Sequence, residues 1–497
     1  MTTRVVKGSL WTLAGQVAPL AVSLVATPFV IRMLGSEGYG VLILVGLIPT
    51  YLGFADMGMS IASTKFGSEA YAAGDAEREA RTVRTAAVIA LAAALPAAAA
   101  IAIFSGRIAV MFNVPEHLQA EASLALKVAA GTFVLNFLNA IFNTPQLARL
   151  RMDLNTLVTS GFRMAGIIAT PIVIYLGGGI LGAVTVLFMA ALATLLGHLW
   201  VSGRLLPQLF DLSIDRNLIR PLLKFGGALA ISGIAMVLLV NLEKLVLAKA
   251  TTVATLAHYS LAFTLAIMAT MFSQAMIQSL IPAFSQLLDP ENREQLQALF
   301  SRSMRLIVIA LIPTLAFLFV AAKPIFLYMG GEEFGRESTW PFRILLFGLL
   351  FNVLAYTPYS LLIASGRSDL FAKLYWAELL PYIGLIAILT TRYGAYGAAA
   401  AWSIRVIADA SIIGWLANRS TGISFAAFKG NGLGFLLTAL LFLPPVVIGA
   451  FLGEHYLWLL LAFPLSLAIY SLVIWNQFIE VAERSWISSR LFVFIGR

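Results

Sequence analysis

The chain has no cysteine in its 497 residues. That excludes disulfides, thiolate metal sites and cysteine nucleophiles, and leaves the compartment open. Charge is also scarce: 11% of residues are Asp, Glu, Lys or Arg, where an ordinary soluble domain carries about a quarter. So little charge cannot cover a water-facing surface. There is no G-x-x-x-x-G-K-[ST] and no H-E-x-x-H pattern, so neither ATP hydrolysis in cis nor a zincin-type metal site is expected. Long polar segments are missing as well. The longest loops on the less basic side, 105–121 and 323–338, are too short to fold alone, which counts against a membrane-embedded polymerase or glycosyltransferase. The chain reads as a non-enzyme without a cofactor.

What is present is apolar sequence: 60% of residues are hydrophobic and the mean hydropathy is +0.90. It comes in runs of the length that crosses a hydrocarbon core of about 30 Å. Helical spans are expected at 8–33, 38–63, 83–104, 122–148, 156–177, 180–201, 222–247, 256–282, 303–322, 339–364, 371–390, 396–417, 432–452 and 457–478. The opening, Met1 to Lys7 followed by an apolar run, has the outline of a signal peptide. The run from Gly8 to Leu34 is too long for one and lacks a small-x-small cleavage site, so it is read as a retained first helix.

The net charge of +9 invites a nucleic-acid reading, which the distribution of charge removes. Of the 33 Lys and Arg, 22 fall in one alternating set of loops, including Arg78, Arg81, Arg84, Arg149 and Arg151, and 6 in the other. The positive-inside rule then places both termini in the cytoplasm of a cell with this chain in its inner membrane. Trp11, Trp200, Trp340, Trp376, Trp415, Trp458 and Trp475 fall near span ends, where indoles favour the interface.

The chain also aligns with itself. When Gly38-Tyr39-Gly40 is laid on His258-Tyr259-Ser260, the first two helices match the seventh and eighth. Lys7-Gly8 then falls near Lys224-Phe225-Gly226, and the loop Lys65–Arg84 meets Ser285–Arg305. Six helices per copy is an even number, so the copies are parallel repeats. The expected fold is an all-α integral membrane protein of about fourteen transmembrane helices. Two six-helix lobes, 1–217 and 218–431, surround a central cavity, with two more helices and a cytoplasmic tail at 432–497.

Gly35-Ser36-Glu37-Gly38-Tyr39-Gly40, followed by Tyr51-Leu52-Gly53-Phe54-Ala55-Asp56-Met57-Gly58, resembles the polysaccharide-export flippases. Their superfamily also contains MATE drug antiporters and lipid II flippases. Asn241-Leu242-Glu243-Lys244 and Ile281-Pro282-Ala283-Phe284-Ser285 are similar to the same family, which more often has Asp-Arg where this chain has Glu243-Lys244. The resemblance implies a substrate: an oligosaccharide on undecaprenyl diphosphate, turned towards the periplasm by alternating access and driven by an ion gradient. It also implies membrane lipids, a polysaccharide polymerase and glycosyltransferases as partners. A MATE-type cation antiporter and a lipid II flippase are the alternatives.

Ionisable side chains inside spans are costly, at least about 2.5 kcal/mol near the bilayer centre, so they face a cavity or one another. Arg163, Arg343 and Arg405 are the candidates for holding a diphosphate, because guanidinium forks donate bidentate hydrogen bonds to phosphate oxygens. Each also has a structural reading. Arg405 and Asp409, four apart on one helix, could neutralise each other, and Arg343 could snorkel from its helix end. Asp56, Glu243, Glu378 and Asp409 are the ion-coupling candidates. Glu243 and Lys244 sit towards a span end, where anchoring is the plainer role, and Asp56 could serve as a loop cap.

Overall fold

The computed structural model describes residues 2–211, 213–270, 280–367, 369–423, 440–451, 456–479 and 484. Parts of the eighth and thirteenth expected spans and nearly all of the C-terminal tail lie outside the described residues. The described chain is helical, without strands. The helices are α1 (Thr2–Tyr51), α2 (Met59–Ala72), α3 (Ala76–Met111), α4 (Glu116–Phe142), α5 (Thr144–Ala148), α6 (Met152–Val173), α7 (Gly179–Leu205), α8 (Arg216–Ala250) and α9 (Val253–Met268). They continue as α10 (Arg293–Glu337), α11 (Thr339–Leu354), α12 (Tyr356–Ala364), α13 (Asp369–Thr421), α14 (Leu443–Phe451) and α15 (Tyr456–Val473).

Eight stretches among the described residues are long and apolar enough to cross a membrane, so the protein is multi-pass. Four of them run to 41, 54, 48 and 53 residues, against about 20 for one crossing. Each of these contains a glycine in the left-handed region: Gly35 (φ 69°), Gly177 (φ 90°), Gly331 (φ 76°) and Gly394 (φ 55°). Where loops were expected at 34–37, 178–179 and 391–395, the helix breaks over one or a few residues instead.

The second expected span, 38–63, is not continuous. α1 ends at Tyr51, a short 3-10 turn covers Gly53–Asp56, and α2 starts at Met59. Met57 (φ 50°) and Gly58 (φ 68°) are both left-handed. Gly58 also lies against α8: a β-carbon there would meet the Gly226 carbonyl oxygen at 2.4 Å. The fourth expected span breaks likewise at Asn143, between α4 and α5.

These breaks repeat along the chain. Positive φ occurs at Asn113 and again at Gly331, at Leu150 and again at Gly366, and at Gly177 and again at Gly394. The members of each pair stand almost as far apart as Lys7 and Lys224 do. The division of α4 from α5 is matched by that of α11 from α12 at Ala355. Three pairs of positive-φ positions thus fall at the spacing read from sequence.

By compactness the chain forms two units: residues 1–260, 328–331 and 375–398 make one, and 261–327, 332–374 and 399–497 the other. In the first, α3 packs on α4 through small side chains, with Ala94, Ala98, Ala122, Ala125 and Ala129 in one buried cluster with Leu126 and Val45. Small residues let helices approach closely where lipid supplies no hydrophobic drive. The described residues of the second unit include an apolar cluster around Phe284, Phe300 and Met304 and another around Val308, Phe442 and Tyr470.

At the basic end of the first unit two arginines do more than set topology. Glu79 is fully buried and receives both guanidinium nitrogens of Arg149, at 2.5 and 3.1 Å. Arg84 donates to the carbonyls of Gln208 and Asp211, both at 2.6 Å, and to the Ser213 hydroxyl at 2.9 Å, tying α3 to the segment after α7. Removing one partner of a buried pair strands the other charge. Arg149→Ala should therefore cost about 3–5 kcal/mol and lower the thermal unfolding temperature and membrane abundance, whereas Arg151→Ala, at an exposed pair with Asp153, should leave both nearly unchanged.

Candidate transport site

In the first unit, α8 carries a carboxylate into apolar surroundings. Glu243 is fully buried, and the hydroxyl of Tyr382, on α13, donates to its Oε2 at 3.1 Å. Tyr382 is 2% exposed. Glu378 precedes Tyr382 by one helical turn and is half-buried, so the two share a face of α13. The hydroxyl of Tyr51, where α1 ends, donates to the Asn241 carbonyl, and Lys244 Nζ donates to Asn241 Oδ1 at 3.2 Å. Glu243 thus belongs to a buried polar cluster built from three helices, and the anchoring role expected from its place near a span end does not describe it. A buried carboxylate in such a setting needs a proton, a cation or strong hydrogen bonds to persist. No group of three or more His, Cys, Asp or Glu suited to a metal ion occurs among the described residues.

The other ion-coupling candidates sit differently. Asp56 Oδ2 accepts from the Ser60 amide at 3.2 Å and the Ser60 hydroxyl at 2.6 Å, so it closes the first turn of α2 at the helix break. This is the loop-capping role. Asp409 is buried on α13 of the second unit, one turn beyond the half-buried Arg405.

The arginines divide in the same way. Arg343 is 4% exposed; its Nε donates to the Phe319 carbonyl at 3.2 Å, and its guanidinium lies 4.7 Å from the Phe319 ring and 4.9 Å from the Trp340 ring. It is packed inside the second unit, and it does not snorkel. Arg163 is exposed on α6, with no hydrogen bond or ion pair to any described residue. Its neighbours one and two helical turns earlier are committed to packing: Ser160 and Thr156 donate to the carbonyls of Gly15 and Trp11.

Sequence reasoning missed Tyr51 and Tyr382, whose hydroxyls organise the Glu243 cluster. Nothing in their spacing separates them from interfacial tyrosines. It also missed His198, buried with Nδ1 3.0 Å from the Gln146 amide and Nε2 3.2 Å from the Thr159 hydroxyl, which ties α7 to α5 and α6 beside the Asn143 break.

The family model described as "Polysaccharide biosynthesis protein" matches residues 5–288, more than half of the chain. A Shigella flexneri protein described as "Putative O-antigen transporter" is 23% identical over 422 residues, covering 84% of this chain and 99% of that protein. Among solved structures, a lipid II flippase MurJ in an inward closed conformation is similar with a TM-score of 0.71 at 15% identity, covering 96% of this chain and all of that one. An inward-facing multidrug resistance MATE family transporter of the MOP superfamily is similar with a TM-score of 0.69 at 15% identity, covering 82% of this chain and 95% of that one. The fold is that of these transporters.

The Glu243–Tyr382 contact has a direct check. Tyr382→Phe should destabilise the protein by about 1–3 kcal/mol, the cost of a buried acceptor losing its donor. In a Glu243→Leu background the same change should cost close to nothing. Thermal unfolding of the four variants in a double-mutant cycle measures the coupling.

Proposed function

This chain belongs to the polysaccharide biosynthesis protein family, and we propose that it flips an oligosaccharide carried on undecaprenyl diphosphate across the inner membrane, for export of a polysaccharide. The observation that carries this reading is the family match together with similarity over 84% of the chain to a protein described as "Putative O-antigen transporter". In this reading both termini are cytoplasmic, in keeping with the basic loops. Residues 1–217 and 218–431 act as the two lobes of an alternating-access carrier, with 432–497 appended. A polysaccharide polymerase and glycosyltransferases are its working partners.

Arg163 and Arg405 contact the substrate's diphosphate. The motive is strongest for Arg163: a cation in mid-span with no protein partner among the described residues has to find an anion or water. Arg343 would join them only by exchanging the Phe319 carbonyl and two rings for phosphate. Glu243, with Glu378 beside Tyr382, is the proposed coupling site, since a buried carboxylate can take up and release a proton or a small cation. Asp409 is held in reserve for the second unit, and Asp56 is assigned to the helix break. A cation antiporter would want carboxylates facing its cargo, and Asp56 is instead committed to Ser60.

Two outcomes are expected. Arg163→Lys and Arg405→Lys should each lower glycan export at normal protein abundance by about tenfold, since an ammonium does not reproduce the bidentate fork; normal export by both would remove them from the diphosphate contact. In vesicles holding the purified protein, flipping should proceed without ATP and respond to an imposed ion gradient. Glu243→Gln should abolish that response while leaving binding of the lipid-linked glycan intact.

A further inference from the structure

Among the described span amides that make no side-chain hydrogen bond is Asn136. Asn136 lies on α4, is exposed, and makes no hydrogen bond with any described residue. A polar group at that depth is costly unless something wet or polar meets it. It opens into a pocket of about 370 Å³ in the first unit, formed by α1, α4 and α7 and reaching the break after Tyr51 at Pro49 and Gly53. None of the lining residues is charged.

The pocket's chemistry narrows what fits. The Thr50 hydroxyl donates to the Gly46 carbonyl at 2.9 Å, and that of Thr132 to the Val128 carbonyl at 3.2 Å, which leaves both oxygens able to accept. Asn136 adds amide donors and an acceptor. The remaining lining residues are apolar, and Phe137, half-buried, is braced by Phe133 with ring centroids 4.6 Å apart. Without a cation the pocket is unsuited to a diphosphate, and without a carboxylate it is unsuited to an organic cation. A polyprenyl tail would leave the Asn136 amide unpaired. A sugar ring has an apolar C–H face for an aromatic ring and hydroxyls for an amide. The volume lies at the lower end of small-molecule sites, roughly 300–1,000 Å³, which suits one sugar residue. With so few polar groups, a sugar short of hydroxyls fits best.

We propose that this pocket is a subsite for one uncharged sugar of the lipid-linked glycan, a deoxy or N-acetylated residue, held by Asn136 and packed on Phe137. The inference rests on the flippase reading above. It makes Asn136 a determinant of which glycan is accepted.

The test uses the full chain in lipid nanodiscs and saturation-transfer NMR with three probes: a methyl 6-deoxyhexoside, methyl N-acetylglucosaminide and methyl glucuronide. The two uncharged glycosides should receive saturation and compete with each other, and the glucuronide should not. Asn136→Leu, close in size and lacking the amide, should weaken their binding about fivefold. Phe137→Leu serves as the second variant should Asn136→Leu fail to fold, as judged by thermal unfolding. Absence of transfer from both uncharged probes, equal transfer from the glucuronide, or binding indifferent to both substitutions would overturn the subsite. Glycan export by the same protein in cells separates the two readings. Export without sugar binding removes the subsite and leaves the flippase; sugar binding without export keeps the subsite and removes the flippase.

Discussion

In hydrocarbon no water is available to satisfy a backbone group that a broken helix leaves free, so every interruption of a span has to be covered by protein. The break after Tyr51 shows how much follows from this. Asp56 takes the Ser60 amide and hydroxyl, and Gly58, left-handed and without a side chain, lets its backbone lie against Gly226 of α8. A close backbone crossing of that kind fixes where α8 runs, and α8 carries Glu243. The same break ends α1 at Tyr51, whose hydroxyl reaches the Asn241 carbonyl, just ahead of Glu243 on α8. Pro49 and Gly53, on either side of that helix end, wall the pocket that Asn136 faces. Polar cluster and pocket are both consequences of one interrupted helix.

Two carboxylates in this unit are equally buried and serve opposite ends. Glu79 meets a bidentate guanidinium, the strongest pairing available to it, and the pair holds α3 against the α5 end of the bundle. Such a pair is costly to open, which suits a permanent tie. Glu243 meets a tyrosine hydroxyl, with the Lys244 ammonium acting on it through its charge. A neutral donor stabilises a carboxylate less than an arginine does, and it tolerates a protonated carboxyl as well as an ionised one.

Much of this was legible in the sequence. Apolar run length and scarce charge require a multi-pass helical protein. Asn113 and Gly331, and Gly177 and Gly394, share positive φ at the spacing that separates Lys7 from Lys224. The breaks were less legible. Gly35, Gly177 and Gly394 could be read as loop glycines, but Leu150 and Asn113 adopt left-handed conformations without a glycine to signal them. Hydropathy has no term for an interruption inside an apolar run, and so the second and fourth spans read as continuous. Among the site residues, Asp56 announces itself by its motif, while Tyr382, which donates to Glu243, comes from α13, far away in sequence. Arg343 shows the opposite limit, since its position near a helix end suggests snorkelling, and only the packing of Phe319 and Trp340 around it reveals burial.

The repeat also exposes how the two copies differ. In the register that lays Gly177 on Gly394, Glu243, Glu378 and Tyr382 correspond to Ala26, Gly161 and Ala165, so the backbone pattern recurs and the ionisable cluster does not. Conversely, Asn136 corresponds to Val353 and Arg163 to Leu380. A duplicated scaffold would place equivalent side chains at equivalent depths, and here these polar residues differ between the copies instead. Of the positions proposed to meet the cargo, Asn136 and Arg163 lie in the first copy and Arg405 in the second, together with Glu243 and Glu378, the carboxylates proposed to meet the ion. Every buried polar group in a membrane costs stability, so a position kept polar in one copy and apolar in the other spares that cost once.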